Sequence, residues 1–360
     1  MRGMGWRQPI IGVTTTVIPR KDGFFGQMAR RASELGARLV LFHPNEIKFD
    51  QGIGYGYEWT GLAAKVWRKS EVPLPDVIYE NVFVHLVMQG MVRSLRHAAR
   101  VRGIPVFNPL IAGKAAMTPW IADCTSCGVQ VPVTRRILRV QTLDEMLRRF
   151  GVIYVKPSGG YGGRGVYRLR AQQDKIFIQC DRFYERGPLR LTVTRPEFAR
   201  FAQRHFLRIP HIAQERIPLI KYHGGQIDFR VVIQRNRNGV WELVGIVPKI
   251  AAPDGVVTNL VAGGSRMRLA QLQTLLRAEG MEIDAHALER VAMNIGRLLM
   301  KRYPKLGILG YDLGIDERGQ VWFIELNPKP ARRLLFPEMQ RRAGELAVDF
   351  ALYLAEPKAL

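Results

Sequence analysis

The sequence predicts an α/β unit followed by an α+β unit. Three observations carry this expectation. In the first part of the chain, short apolar, β-branched segments alternate with segments of helical period, the pattern of a small parallel sheet. From about residue 176 the chain is mostly strand-like, with helices near 196–206, 284–302 and 338–354. Between these parts lies a glycine-rich turn followed by β-rich sequence rather than by a helix.

The elements follow in order. "PIIGVTTTV" reads as a first strand, and "FFGQMARRASELG" as a helix with Gly36 as its natural C-cap. "ARLVLFHP" is the next strand. The aromatic and glycine-rich stretch 45–75 reads as short strands and turns. "PDVIYENV" is a strand, a helix covers roughly 84–102, and "IPVFNP" follows. A helix near 112–127 leads to the strand "VQVPVTRRIL". "TLDEMLRRFG" reads as a helix with Thr142 as N-cap and Glu145 completing a capping box.

Composition bounds the function. Of 360 residues 47% are apolar, enough for a large core, and no apolar run approaches the roughly 18 residues of a membrane span. The N-terminus lacks a long apolar signal segment, so the expected location is the cytoplasm. Cys124 and Cys127 form a lone C-x-x-C with no second pair to complete a structural zinc site, and they read as two small buried thiols. The formal charge is +23, from 54 basic and 31 acidic residues. The arginines are scattered in pairs such as Arg135-Arg136 and Arg332-Arg333. That spread predicts weak nonspecific adhesion and no specific nucleic-acid partner.

"KPSGGYGGRGV", residues 156–166, holds five glycines in eleven positions and fits G-x-G-x-x-G. A dinucleotide turn needs a helix directly after the glycines, and a P-loop needs Gly-Lys-Ser/Thr; here "VYRLR" follows. Two readings stay open. One is a strand–turn–strand lid whose backbone N–H groups approach phosphates, with Lys156 on the incoming strand. The other is a flexible surface hairpin.

"GILGYDLGIDERGQVWFIELNPKP", residues 307–330, reads as two strands around the turn "DERG". With a two- or four-residue loop, residues 312 and 325 lie on the same face of the hairpin, directly or diagonally opposed, and Asn327 shares the face of Glu325. Two carboxylates and a carboxamide are hard oxygen donors that suit Mg²⁺. The alternative is a solvated polar sheet face.

Together these segments resemble the ATP-grasp superfamily over roughly residues 110–335. The resemblance implies two α+β lobes holding ATP between them, a glycine hairpin over the phosphates, and Mg²⁺ on a late D…E-x-N set. It implies nucleotide contacts from Lys114 in "AGKAAMTPWIAD", and from Lys156 with Ser158, Gly159, Gly160, Gly162, Gly163 and Gly165. Glu215, Arg216 and Ile217 would reach adenine. "DFR" supplies Asp228 and Arg230, and Lys249 and Asn259 follow; Arg230, Lys249 and Asn259 are the implied catalytic residues. Asp312, Glu325 and Asn327 would be the metal ligands. Lys221 stands where an acid often meets the ribose, and "PKPARR" replaces the Pro-Gly that often follows the asparagine. The whole chain resembles the endospore coat-associated YheC/YheD family.

The implied domains are 1–110 (an N-terminal α/β unit ahead of the ATP-grasp lobes), 111–210 (a lobe with the glycine lid) and 211–360 (a lobe with the metal set and a C-terminal helix). The implied activity is an ATP- and Mg²⁺-dependent ligase that activates a carboxylate as an acylphosphate for attack by an amine or similar nucleophile. A non-catalytic ATP-binding component of a spore coat is the alternative. Neither the acid nor the nucleophile is legible.

Overall fold

The computed structural model describes residues 7–19, 23–61, 66–82, 90–109, 111, 114–159, 163–183 and 187–356. The expected start of the helix near 84 and part of the glycine turn lie outside them.

The first sheet comprises β1 (Ile10–Thr14), β2 (Arg38–Phe42), β3 (Ile47–Lys48), β4 (Ile53–Trp59), β5 (Trp67–Pro73), β6 (Val77–Glu80) and β7 (Val106–Phe107). Its order is β3-β4-β2-β1-β6-β7, with β5 on β4. β2, β1, β6 and β7 run parallel, and β3–β5 add an antiparallel edge. The all-apolar reading of β1 has a plain cause: it is buried on both faces. Helix Met91–Val101 covers one face through Leu95 and Ala99. Helices Phe24–Glu34 and Pro337–Ala355 cover the other, where Phe25, Met28, Ala347 and Phe350 share one core with β1 and β6. The end of the chain thus completes the core of its beginning, and Arg31 joins Asp349 at 3.0 Å.

The second sheet is antiparallel. It contains β8 (Thr134–Arg136), β9 (Val152–Pro157), β10 (Tyr167–Gln172), β11 (Lys175–Cys180), β12 (Leu189–Thr194) and β13 (His211–Glu215), in the order β12-β11-β10-β9-β13-β8. Helices Val140–Phe150 and Arg195–His205 pack on it through Leu143, Leu147, Phe198 and Ala202.

The third sheet, also antiparallel, contains β14 (Lys221–Tyr222), β15 (Gly225–Arg235), β16 (Trp241–Ile250), β17 (Ser265–Arg266), β18 (Ile308–Ile315) and β19 (Val321–Asn327). Its order is β17-β16-β15-β18-β19, with β14 on β15. Strand period sorts its faces. Ile227, Phe229, Val231 and Ile233 join Leu309, Tyr311 and Leu313 against helices Leu269–Ala278 and Ala285–Arg302. Asp228, Arg230 and Asp312 occupy the opposite face.

Three expectations need correction. The helix expected from Thr142 starts at Val140 with Arg139 as N-cap, so Thr142 is a buried helical residue and not a cap. Its side chain packs in the core instead of meeting the first turn. The capping box lies at Thr194, whose backbone N–H donates to Glu197 at 2.8 Å. Helix Leu269–Ala278 was not expected; Leu272 and Leu276, four apart, are its buried signal. Cys124 and Cys127 are joined by a disulfide rather than standing as thiols, because the short 3₁₀ turn Thr125–Cys127 brings their Cα atoms to 5.4 Å.

Candidate active site

A cavity of about 390 Å³ lies between the second and third sheets. Its floor is a row of charge laid across neighbouring strands. Register sets that row: Lys249 on β16 pairs with Asp228 on β15, Arg230 on β15 with Asp312 on β18, and Asp312 with Glu325 on β19. Arg230 donates to both oxygens of Asp312, from Nε at 2.8 Å and from Nη2 at 3.1 Å. Lys249 Nζ lies 2.9 Å from Asp228 Oδ1 and 3.0 Å from Asp312 Oδ1. The Thr258 hydroxyl donates to Asp228 Oδ2 at 2.6 Å.

These groups are buried, and their titration follows from competing effects. Burial alone would raise Asp312, but Arg230 and then Lys249 outweigh it and hold the carboxyl well below the usual carboxylate range. Burial dominates at Asp228 and raises its pKa; Lys249 pulls it down and Asp312 pushes it up. Burial lowers Arg230 and Lys249, yet the carboxylates beside them leave both raised.

A β-bulge places the last two donors. Val321 and Phe323 point into the core, and by period two Glu325 would follow them. The register skips Ile324, pairing Leu313 with Phe323 and Asp312 with Glu325. Leu326 therefore turns to the core, while Glu325 and Asn327 join Asp312 on the cavity face. Gly310 and Gly314 flank Asp312. A Cβ at Gly310 would stand 2.6 Å from Pro330, and one at Gly314 2.2 Å from Leu219, so only glycine admits those residues at these two positions.

The opposite wall comes from the second sheet. Lys156 donates from Nζ to Gln214 Oε1 at 2.9 Å, and Gln214 is itself held by Thr134 at 3.0 Å. Gly163 has φ +71°, and a Cβ there would stand 3.1 Å from Val257 and 3.3 Å from Asn259. The glycine turn therefore rests on the loop after β16. Asp181 strengthens this contact: its Oδ2 accepts the backbone N–H groups of Val256 at 2.6 Å and Val257 at 3.2 Å.

The structure brings Lys156, Ser158, Gly163, Glu215, Ile217, Arg230, Lys249 and Asn259 onto the cavity wall with Asp312, Glu325 and Asn327. Asn259 also uses Oδ1 to cap a 3₁₀ turn at Val261. Gly159, Gly165, Arg216 and Lys221 do not line the cavity, and Arg216 and Lys221 are exposed. Lys221 is off the wall because β14 turns it to solvent. Gly160, Gly162 and the side chain of Lys114 lie outside the described residues. Lys114 opens helix Lys114–Ala122, whose Thr118 lines the cavity. Gln214, Thr258 and Asp181 are further members of the site that the sequence did not single out.

Asp312, Glu325 and Asn327 fit Mg²⁺. Among the described residues no three His, Cys, Asp or Glu side chains group to hold a metal, so the set is two carboxylates and an amide. A site this sparse in protein donors suits an ion that keeps waters and takes phosphate oxygens. The buried Asn327 Nδ2 has no hydrogen-bond partner among the described residues; as a donor it suits an acceptor such as a phosphate oxygen, and Oδ1 is the atom that could meet the metal.

A sequence profile of the "YheC/D like ATP-grasp" family matches residues 103–354, well over half of the chain. The chain belongs to the YheC/D-like ATP-grasp family. The endospore coat-associated protein YheD of Bacillus subtilis (strain 168) is 25% identical over 97% of this chain and 79% of its own length. The endospore coat-associated protein YheC of the same organism is 21% identical, covering 92% of each chain. Among solved structures, a RiPP-associated ATP-grasp ligase of Chryseobacterium gregarium, in complex with ADP and a leader and core peptide, superposes with a TM-score of 0.55. It covers 98% of this chain and 100% of its own, at 11% identity. The fold is thus ATP-grasp with an N-terminal sheet built around parallel strands, as the sequence predicted. Among the described residues no helix is long and apolar enough to cross a membrane.

Proposed function

We propose that this protein is an ATP- and Mg²⁺-dependent ligase that activates a carboxylate as an acylphosphate for attack by an amine or similar nucleophile. One observation carries the reading. The buried cations Arg230 and Lys249 and the half-buried Lys156 share a cavity with Asp312, Glu325 and Asn327. Catalysis of phosphoryl transfer is mostly positioning and charge neutralisation.

In the first half-reaction a carboxylate oxygen bonds the γ-phosphorus as the bond to the ADP oxygen breaks. In the second, the nucleophile bonds the acyl carbon, phosphate leaves, and a proton is released. Lys156 would hold phosphate oxygens beneath the glycine turn. Arg230 and Lys249 would exchange part of their hold on Asp312 for charge developing on the transferred group. Thr258 keeps Asp228 in place so that Lys249 stays aimed along the row. Asp312, Glu325 and Asn327 would hold Mg²⁺, which supplies neutralisation of the phosphates. Glu215 and Ile217, at the end of β13, would flank adenine.

We further read residues 1–110, 111–210 and 211–360 as an N-terminal unit and two ATP-grasp lobes, in a cytoplasmic protein with small-molecule substrates. The names of two relatives favour a second reading, a role in sporulation or association with a spore coat, with nucleotide bound but not turned over. Glu325→Gln tests the metal role. It should leave the thermal midpoint nearly unchanged but abolish the added stabilisation that Mg²⁺-ATP gives the wild type. Equal Mg²⁺-ATP shifts in both proteins would remove Glu325 from the metal site. A screen for ADP release with pooled acids and amines separates the two readings: binding without release under any pair favours the coat component.

A further inference from the structure

The segment after Asn327, "PKPARR" (328–333), forms one end of the cavity, and the nucleotide and metal roles do not use it. Its backbone is tied down at successive points. The Pro328 carbonyl accepts Asn108 Nδ2 at 3.1 Å. Pro330 packs where Gly310 has no side chain. The Arg333 carbonyl accepts Arg266 Nη1 at 2.7 Å.

The side chains divide sharply. Lys329 donates to Glu80 Oε1 at 2.8 Å, and Glu80, with no solvent exposure at the end of β6, also accepts two bonds from Arg96, at 2.6 Å and 2.9 Å. Arg332 stacks on Phe24 at 4.1 Å and donates to Asn81 at 3.2 Å. Arg333, by contrast, lines the cavity together with Lys329. Among the described residues, Lys329 and Arg96 already share Glu80, and Arg333 adds a further cation to this end of the cavity. On the neighbouring floor the balance is reversed: Arg230 and Lys249 face Asp228, Asp312 and Glu325. A reacting carboxylate spends its charge beside the metal and phosphates. The cationic end then asks for an anion of its own, and a guanidinium fork on a rigid backbone suits a carboxylate.

We propose that the acyl substrate carries a second carboxylate besides the one activated, and that Arg333 binds it, with Lys329 beside it and Glu80 and Arg96 positioning Lys329. This rests on the ligase reading. It predicts a class of acid, one with two or more carboxylates, and assigns the two adjacent arginines different roles: Arg333 in substrate binding and Arg332 in packing.

The test uses the full chain loaded with ADP and Mg²⁺. Thermal midpoints are titrated with succinate, glutarate and their monoamides, succinamate and glutaramate, at matched ionic strength. The dicarboxylates should act at about tenfold lower concentration than the monoamides, the equivalent of one charge-assisted contact. Arg333→Ala should erase that preference, and Arg332→Ala, read against its own starting midpoint, should keep it. Acid and monoamide acting equally on the wild type, or a preference that survives Arg333→Ala, overturns this inference alone, provided ADP with Mg²⁺ shifts the midpoint normally. No shift from ADP with Mg²⁺ overturns the ligase reading and this inference with it.

Discussion

Lys249→Met removes the ammonium that sits 2.9 Å from Asp228 and 3.0 Å from Asp312. At an effective dielectric near 20 each contact represents about 5–6 kcal/mol of attraction. Removing the ammonium also returns several kcal/mol of lost hydration, so the net cost of orphaning a buried partner is about 3–5 kcal/mol. Arg230 still holds Asp312. The penalty therefore falls on Asp228, left with the Thr258 hydroxyl. Burial has already raised the pKa of Asp228, and losing Lys249 removes the main influence that lowers it. A carboxyl whose folded-state pKa exceeds its unfolded value destabilises fully above the folded pKa and is relieved as pH falls through it. The deficit of Lys249→Met should therefore be largest at high pH and shrink as the pH falls and Asp228 takes up a proton. Hydrogen exchange of the β15 and β18 amides, corrected for intrinsic rates, reads this as local free energy. A deficit under about 1 kcal/mol at pH 8, below the range for a broken buried pair, or one that does not shrink at any acidic pH where the wild type stays folded, would refute the reasoning.

Gly163→Ala places a methyl at positive φ and within 3.1 Å of Val257. The strain of roughly 1–2 kcal/mol should be relieved by lifting the turn, weakening ADP affinity about tenfold while the thermal midpoint barely moves; unchanged affinity by calorimetry would show that the turn does not cover the nucleotide. Retention on duplex DNA should be weak, independent of sequence and gone at physiological salt, because the arginines are dispersed. Salt-resistant binding of one sequence, measured by gel shift, would contradict this.

Much of this architecture was readable along the chain. The strand–turn–strand character of 152–172 and the hairpin that carries Asp312 and Glu325 both follow from local spacing. The ion row was not readable as a row, because it exists only once β16, β15, β18 and β19 are set side by side. Its members were legible one by one, and only Asp312 and Glu325 as sharing a face. The bulge at Ile324 was equally silent: unbroken alternation along β19 would set Glu325 beside Val321 and Phe323 in the core. "DERG" looked like a solvated turn, yet Asp316 is buried, accepting the N–H groups of Arg318 and Gln320 and the indole of Trp322. Thr142 misled because a cap and a buried helical threonine look alike in a single sequence. Nothing in "ARR" says which arginine meets the cavity; the nearby ring of Phe24 decides it.

The shared core of helices Phe24–Glu34 and Pro337–Ala355 has a consequence for biosynthesis. Arg31 and Asp349, which meet in the folded protein, are 318 positions apart. A ribosome adding roughly 5–20 residues per second needs about 15–65 s to bridge that interval. For that time the apolar stripe of Phe25, Met28, Ala29 and Ala32 has the early strands but lacks its cover from helix Pro337–Ala355. The first unit of this chain to be translated is therefore among the last to be finished. Its nascent form presents a sticky surface that a chaperone can hold until Phe350 arrives.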